Sequence, residues 1–501
     1  MKRSAWLVLF AFGICLSQGA FAQAFRVLHI FSGPDGANPE ARMVQGADGN
    51  LYGTAAFGGL PSGCPDLFGC GVIFKIDAAG NYTVLHRMKP AEGGQLRGLV
   101  QAPDGFLYGI ASRYGSGPPT GCGFTNSCGT LFRIDGAGNF TVLHSFGTTD
   151  APNPTGGLLI GSDGLLYGTT VTSIYRADTS GNVTTLHTFA SVQEGHNLNG
   201  PLVEDDQGNF YGTAREGGLD GCILTGDPDQ TCGTVYKLDP SGDVTVLHKF
   251  GGTELEFKPA GELVRGADGF LYGITAWGAF TSLGGAAFKI DEVGNYQTLH
   301  VFNTAGYGPE GMHTEAGLLA GSSGALYGTN TVDGLPIFSG DVKGALFRMS
   351  TNGAVKVLHT FTGADGATPF AGLVEADDGN LYGTTLFGGP ANKGTIFRLN
   401  PRASSSVASF AFSLNPVSQG QITTGTVTLS RPAPAGGLRV DISNTNAALV
   451  TTPQFVDVPA GMTQATFNAR ASQSFTGSVK LWASGRDGAG PATTLRVRAQ
   501  P

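Results

Sequence analysis

Aromatic and charged side chains follow several copies of a Leu/Phe-Tyr-Gly motif, in a chain that otherwise repeats closely. This set consists of Phe57, Arg113, Tyr114, Arg215, Glu216, Trp277 and Phe387. Aromatic rings stack on sugars or apolar groups, and arginine and glutamate supply directed hydrogen bonds. The set would therefore suit the binding of a carbohydrate or a peptide. The alternative is that these are ordinary exposed loop residues.

Histidines could supply metal ligands or acid–base groups, and seven of the nine recur in Leu-His motifs. These seven are His29, His86, His144, His187, His248, His300 and His359. Each is predicted on the outermost strand of a different repeat, too far from its neighbours to share one ion, so we expect structural hydrogen bonds. His196 and His313 lie outside the motif, near Glu194, Glu310 and Glu315, and could form an acid–base or metal site.

The cysteines indicate disulfide bonds. One of the seven, Cys15, lies in the predicted signal peptide, and the others form three close pairs: Cys64 with Cys70, Cys122 with Cys128, and Cys222 with Cys232. Paired cysteines in an exported chain predict disulfides. Zinc is the alternative, but no histidine follows at the spacing of a zinc finger.

Composition favours an all-β chain that does not bind nucleic acid. The 501 residues include 80 glycines, 41% are hydrophobic, and the formal net charge is −8. Abundant glycine in a chain this apolar indicates short strands joined by tight turns. Lysine and arginine are scattered, which disfavours nucleic acid as a partner. We predict no cofactor and no resident metal.

The N-terminus predicts export. Residues 1–22 combine Lys2 and Arg3 with a short apolar run and end in Ala20-Phe21-Ala22, as in a cleaved signal peptide. A transmembrane anchor is the alternative, but the apolar run is short. We expect a secreted or cell-surface protein, with the periplasm as another destination, and no membrane span after signal removal.

A repeat of about 55 residues organises residues 23–400. The seven Leu/Phe-Tyr-Gly tyrosines run from Tyr52 to Tyr382, so six periods cover 330 residues. Each unit carries four strand candidates, which is typical of a β-propeller blade. The tyrosines are expected to pack between blades.

Turn residues predict how the four strands are connected. Asp-Gly hairpins join the first strand to the second, and aspartates are expected to cap the hairpins between the third and fourth. The capping aspartates are Asp77, Asp135, Asp178, Asp239 and Asp291, for which calcium binding is the minor alternative. The longer connections then lie together at the opposite ends of the strands, on what we call the long-loop face.

The two ends of the repeat predict a closed ring. The seventh unit stops at Asn400 without a fourth strand, whereas Arg26 to Phe31 forms such a strand before the first unit. The N-terminal strand should therefore complete the seventh blade and leave no exposed sheet edge. The prediction is a seven-bladed β-propeller of four-stranded blades.

The C-terminal region has a different pattern. After a polar linker at residues 401–406, short alternating runs such as Thr426 to Leu429 and Val479 to Trp482 replace the repeat. Residues 407–501 are predicted to form a small immunoglobulin-like β-sandwich.

The repeat phrases GNLYGTT, GTIFRLN and TVLHSF resemble those of the GloVer tandem-repeat family. This resemblance covers about residues 26–400 and implies an exported bacterial protein with a choice of C-terminal anchor, but it supplies no catalytic residues. The segments FSLNPVSQGQ, GTVTLSRPAPAGG and VPAGMTQATF resemble bacterial immunoglobulin-like modules of secreted and surface proteins.

The sequence is compatible with three functions. The first is a non-catalytic binding scaffold that uses the long-loop face for an extracellular glycan or protein ligand. The second is an extracellular carbohydrate-active or other hydrolytic enzyme, which would need two carboxylates, or a histidine with carboxylates, in one pocket. The third is a structural adhesive or matrix component, which would need no deep pocket.

Overall fold

The chain divides into two compact units, Phe25–Leu399 and a second unit within Asn400–Pro501. The computed structural model describes residues 25–59, 64, 68–115, 128–147, 153–198, 200–218, 232–251, 256–278, 283–303, 316–331, 343–401, 407–430, 433, 437–459, 461–484 and 492–500. The predicted signal peptide, and residues 402–406 of the predicted linker, lie outside these residues. In the described ranges, no helix is long and apolar enough to cross a membrane.

The described strands of the first unit form seven antiparallel sheets. In chain order the strands are β1 (Phe25–Ile30), β2 (Val44–Gln45), β3 (Leu51–Ala55), β4 (Val72–Ile76), β5 (Tyr82–Arg87), β6 (Gly94–Gln101), β7 (Leu107–Arg113), β8 (Thr130–Ile134), β9 (Phe140–Ser145), β10 (Leu159–Ile160), β11 (Leu166–Thr169), β12 (Ser173–Ala177), β13 (Val183–Thr188), β14 (His196–Leu198), β15 (Val203–Glu204), β16 (Phe210–Glu216), β17 (Thr234–Leu238), β18 (Val244–Lys249), β19 (Glu256–Arg265), β20 (Leu271–Gly278), β21 (Leu283–Ile290), β22 (Tyr296–Asn303), β23 (Leu319–Ala320), β24 (Leu326–Asn330), β25 (Ala345–Met349), β26 (Val355–Thr360), β27 (Val374–Glu375), β28 (Leu381–Thr385) and β29 (Thr395–Leu399).

Each sheet corresponds to one sequence repeat. The first six contain β2–β5, β6–β9, β10–β13, β14–β18, β19–β22 and β23–β26, and the seventh contains β27–β29 with β1. The fourth sheet has five strands because β14 and β15 both pair with β16. The prediction of four strands per repeat is thus confirmed, with one extra short strand. The unit is propeller-like.

The N-terminal strand completes the seventh sheet, as the sequence predicts. β1 pairs antiparallel with β29, with Phe25 opposite Leu399 and Ile30 opposite Thr395. The seventh sheet also bonds to the first, because the Asp377 N–H donates to Gln45 Oε1 at 2.9 Å. The strand edge that β29 would otherwise expose is therefore paired.

The Tyr-Gly motif packs adjacent sheets together. Seven apolar clusters each combine residues of two successive sheets, including the seventh with the first. A Cβ on Gly109 would lie 2.5 Å from the Phe132 ring, so glycine makes room for an aromatic side chain on the next strand. Six of the seven motif tyrosines donate to a hairpin aspartate at 2.7–2.9 Å. Packing of these tyrosines between sheets is confirmed.

The Leu-His histidines make structural contacts in the outer strands. His29, His86, His187 and His359 lie 2.8–3.5 Å from a carboxylate six or seven residues later. Some also stack on the outer strand of the next sheet: the His29 ring centroid is 3.7 Å from that of Tyr82. For these four the structural interpretation is confirmed, because each imidazole is bonded within its own repeat.

Aspartates cap the hairpins between the third and fourth strands. The five predicted aspartates each accept the N–H of the residue four positions later, at 2.8–3.0 Å. These bonds satisfy backbone donors at each turn, as the sequence predicts. In the sixth sheet Ser350 takes this position and accepts the Ala354 N–H at 3.1 Å.

The second unit consists of two sheets that share one apolar core. Its strands are β30 (Val407–Phe412), β31 (Val417–Ser418), β32 (Ile422–Leu429), β33 (Leu438–Asn444), β34 (Val450–Thr451), β35 (Phe455–Val458), β36 (Gln464–Ala471), β37 (Gly477–Ser484) and β38 (Ala492–Arg498). The orders are β30-β32-β36-β34 and β31-β38-β37-β33-β35. Alternating burial, clearest in β32 and β36, places one face of each strand in that core.

Candidate functional site

A central cavity lies where the innermost strands of the seven sheets, and the segments that lead into them, converge. Its volume is about 490 Å³, within the range of small-molecule sites. Every one of the seven sheets contributes to its lining. The charged residues of the lining are Glu40, Arg42, Arg97, Arg215 and Glu262.

Two of these charged residues replace small ones in the repeat. The residue ten positions before the motif tyrosine lines the cavity in all seven sheets. These positions are Arg42, Gly98, Gly157, Pro201, Glu262, Gly317 and Gly372. Five are glycine or proline, so the two long side chains extend into space that the others leave open.

Arg42 and Glu262 pair with each other between the first and fifth sheets. Arg42 Nη2 donates to Glu262 Oε2 at 2.8 Å, and Arg42 Nη1 contacts Glu262 Oε1. This two-point contact is the strongest arrangement of these two groups. Burial raises the pKa of the Glu262 carboxyl, although the Arg42 guanidinium opposes the shift.

A second charged cluster joins the first and second sheets. Arg97 Nη1 donates to Glu40 Oε2 at 3.3 Å, and Arg113 also lies close enough to act on both charges. Burial raises the pKa of Glu40 against the effect of Arg97, and burial together with Arg113 lowers that of Arg97. Two guanidinium groups therefore share one carboxylate.

Unusual backbone positions introduce the segments that line the cavity. Non-glycine residues with φ between 52° and 59° occur at equivalent places in six sheets: Asn38, Gln95, Asn153, Asn197, Lys258 and Thr368. This left-handed region is uncommon for such residues, least so for asparagine. Glu40 and Arg97, which line the cavity, each lie two residues after such a position.

A third cluster surrounds Glu216 between the fourth and fifth sheets. His196 Nε2 lies 3.0 Å from Glu216 Oε2, Asn197 Nδ2 donates to Oε1 at 3.3 Å, and Lys258 Nζ is 3.9 Å from Oε1. Glu216 is thus engaged within the protein. The partner predicted for His196, Glu194, bonds to His187 instead, and His313, Glu310 and Glu315 lie outside the described residues.

The structure separates the seven sequence-predicted ligand residues into different environments. Arg215 lines the cavity, and Arg113 lies beside the Glu40–Arg97 pair. Phe57 and Phe387 form isolated antiparallel β-bridges with Ala37 and Ala367, which lie in the connections that lead into their own sheets. The backbone of Trp277 pairs with Phe257 on β19, while its side chain lies outside the described part of the chain.

Tyr114 differs from the exposed residue that the sequence suggests. Its side chain is 6% exposed and belongs to the apolar cluster between the first and second sheets. Its φ of 61° turns the ring inward, toward Gly94. Tyr114 is therefore a core residue, and the prediction that it contacts a ligand at the surface is corrected.

One predicted disulfide is described in full. Cys64 and Cys70 are bonded, with their Cα atoms 5.6 Å apart. Cys128 and Cys232 are also disulfide-bonded. Their predicted partners, Cys122 and Cys222, lie outside the described residues.

The cavity offers charged hydrogen-bonding groups. Among the side chains that the structure describes, no group of three or more His, Cys, Asp or Glu is placed to hold a metal ion. Arginine donors and glutamate acceptors in a partly enclosed space can bind polar or charged ligands. Sequence reasoning missed Arg42 and Glu262, although their replacement of a repeated small residue was a visible signal.

The sequence profile of the Gloeobacter/Verrucomicrobia repeat family matches residues 12–173, 67–230, 120–334 and 221–433 in overlapping segments. This agrees with the resemblance carried by the repeat phrases. A search of curated proteins found no relative.

The solved structures to which the chain is similar are distant in sequence. The extracellular domain of BT4673 from B. thetaiotaomicron is 12% identical with a TM-score of 0.46, over 96% of this chain and 58% of that one. The gluconolactonase XC5397 from Xanthomonas campestris is 14% identical with a TM-score of 0.37, over 75% and 88%. The chain thus spans less than three fifths of the BT4673 domain, and these similarities assign no activity.

Proposed function

The chain belongs to the Gloeobacter/Verrucomicrobia repeat family, and we propose that it is an exported, non-catalytic binding protein whose ligand enters the central cavity from the long-loop face. The main support for this proposal is that charged residues that depart from the repeat line one cavity. They are Arg42, Glu262 and the Glu40–Arg97 pair. A purely structural repeat protein would have no need of this convergence.

The proposed scaffold is a closed, seven-bladed propeller. The pairing of β1 with β29, the Asp377–Gln45 hydrogen bond and the apolar cluster between the seventh and first sheets support closure. Closure would hold the seven inner strands at fixed positions around the cavity, so that a ligand meets a preformed site. The C-terminal two-sheet unit would be an immunoglobulin-like module that acts as spacer or attachment.

The test is a glycan and peptide array probed with the purified protein and two cavity variants. Gly157→Met fills the cavity from a position where a Cβ would make only ordinary contacts, the nearest at 3.6 Å. Arg215→Ala removes a lining charge. Arg348→Ala, at an exposed residue of β25, is the matched control.

We expect the array to identify a ligand whose binding signal falls in both cavity variants and is retained in Arg348→Ala. Binding that is equal in all four proteins would place the ligand elsewhere and contradict the cavity. An array without any bound ligand would favour the adhesive or matrix interpretation.

A hydrolytic enzyme is the second candidate, favoured by one observation. Glu40 and Glu262 line the same cavity, and burial raises the pKa of both, as general acids require. Each is already paired with arginine, which ranks this candidate below binding. Release of reducing sugar from an array-positive glycan, lost in both Glu40→Gln and Glu262→Gln, would reverse the ranking.

A further inference from the structure

The boundary between the first and second sheets carries an aromatic pair on the first sheet and a cationic cluster to which both sheets contribute. Phe57 and Arg113 both lie five residues after the motif tyrosine of their own sheet, Tyr52 and Tyr108. They therefore occupy equivalent positions on the long-loop face of neighbouring sheets. Arg113 is exposed, and Phe57 is half-buried.

The cationic side of this boundary has more positive than negative charge. Arg97 bonds to Glu40 and, through Nε, to Ser112 at 3.4 Å, which leaves other guanidinium N–H groups for a ligand. Arg113 influences Glu40 and Arg97 through its charge but forms no ion pair with Glu40 at bonding distance. One carboxylate for two guanidinium groups leaves a net positive charge of one in this trio, on a chain of net charge −8.

The aromatic side is held in place by a disulfide. Phe57 and Phe68 meet edge to face with centroids 5.8 Å apart, and Phe68 is 65% exposed. Phe68 lies within the loop closed by the Cys64–Cys70 bond. Cys70 packs in the same apolar cluster as Leu96 of the second sheet, so the loop is anchored beside the segment that carries Arg97.

We propose that this boundary binds a uronic-acid unit of an acidic polysaccharide. Arg113 and Arg97 take the sugar carboxylate, and the Phe57–Phe68 pair stacks against the face of the sugar ring. Paired guanidinium groups match a carboxylate, and exposed aromatic rings present an apolar surface to the ring carbons. The inference rests on the proposed binding function, to which it adds the ligand class.

The experiment measures binding of tetragalacturonate and of its methyl-esterified form to the full mature chain by isothermal titration calorimetry. The variants are Arg113→Gln, Arg113→Lys and Phe68→Ala. Arg176→Gln, at an exposed arginine of β12, is the matched control. Thermal unfolding of each variant checks that the fold is retained.

We expect the acid to bind and its ester to bind at least tenfold more weakly. Loss of a charge-assisted hydrogen bond should weaken binding about tenfold to a hundredfold in Arg113→Gln. Arg113→Lys should lose less, Phe68→Ala should weaken acid and ester alike, and Arg176→Gln should bind as the unmodified chain does.

Several outcomes overturn the inference. Equal affinity for acid and ester, or affinity unchanged in Arg113→Gln, removes the role of the arginine pair. No binding of tetragalacturonate, when the array shows a neutral or sulfated glycan or a peptide, overturns the ligand class and leaves the proposed function standing. An array without any ligand contradicts the proposed function itself.

Discussion

The outer strands and the cavity wall of the first unit differ in how closely their residues follow the sequence repeat. In the outer strands, His29, His86 and His359 each bond to the carboxylate six residues later, so the partner of each of these histidines is close by in the sequence. At the cavity wall, Arg42 and Glu262 replace the repeated small residue and satisfy each other across 220 residues of chain. Uniform positions build the sheets, whereas exceptional positions distinguish one sheet from another.

The difference also appears in the carboxylate pKa values. Hydrogen bonds from backbone N–H groups and from nearby side chains, together with the neighbouring histidines, overcome burial and lower the pKa values of Asp35, Glu92 and Asp365. At the cavity, burial prevails over arginine and raises those of Glu40 and Glu262. Hydrogen bonds within local turns stabilise the charged form of the outer carboxylates, while the cavity carboxylates depend mainly on arginine side chains farther away in the sequence.

The largest loss of stability is expected where the repeat is uniform. Phe132→Ala should lower the free energy of unfolding by about 3–5 kcal/mol, because it empties the space that Gly109 leaves for the ring. Denaturant unfolding measures this loss. Gly109→Ala alone should cost about 1–3 kcal/mol through overpacking, and less once Phe132 is shortened to leucine. Additive costs in the double variant would contradict the proposed fit.

Breaking the cavity pair should cost less than emptying the core. Arg42→Met leaves Glu262, whose side chain is 11% exposed, without its partner, and we expect a loss of about 1–3 kcal/mol, reduced from a fully buried pair because Arg42 is partly exposed. Arg42→Met with Glu262→Leu should recover most of it. A double variant as unstable as the single one would show that packing of the arginine stem dominates.

The pH dependence should separate the two regions by sign. A raised folded-state pKa means that Glu262 contributes less stability as pH rises above its unfolded value near 4.5. The lowered pKa of Glu92 contributes stability that is present above that pH and is lost as pH falls through its folded pKa. From pH 3 to 7, the unfolding midpoint of Glu262→Gln should therefore rise relative to the unmodified chain, and that of Glu92→Gln should fall. Shifts of the same sign would contradict the contrast.

One repeat provides an internal control for the Tyr–Asp bond. Tyr108→Phe removes a 2.7 Å bond to Asp104 and should cost about 0.5–1.5 kcal/mol. In the sixth sheet Ser323 stands at the position of that aspartate, so Tyr327→Phe should cost less. Ser323→Asp should instead raise the unfolding midpoint, and an unchanged midpoint would limit the bond to a local role.

The smallest effect on stability is expected at exposed residues that depart from the repeat. Arg113→Gln should change the free energy of unfolding by less than about 0.5 kcal/mol, because the side chain is exposed and Arg97 keeps Glu40 paired. Thermal unfolding measures this directly. A larger loss would identify Arg113 as part of the scaffold and weaken its assignment to a ligand.

Much of the fold was predictable because its signals are local. Asp77 caps its hairpin through residues within four positions, and Tyr52 bonds to Asp48 in the same turn, so the sequence pattern contains both partners. The burial of Tyr114 was not predictable, because it depends on a left-handed φ at one residue and on packing against the first sheet. A side chain after a strand end can turn outward or inward, and local sequence does not distinguish the two.

The sequence by itself determined the number of repeats, their strand pattern and the pairing of the N-terminal strand with the seventh unit, because period and turn chemistry are properties of neighbouring residues. Only the tertiary structure decided that Arg42 of the first sheet meets Glu262 of the fifth. Their contact depends on how the sheets are arranged around the cavity. The length of a sequence repeat carries no information about that arrangement. The same holds for the cluster of Glu40, Arg97 and Arg113. Its charges belong to two sheets and act on one another only after these sheets have packed together.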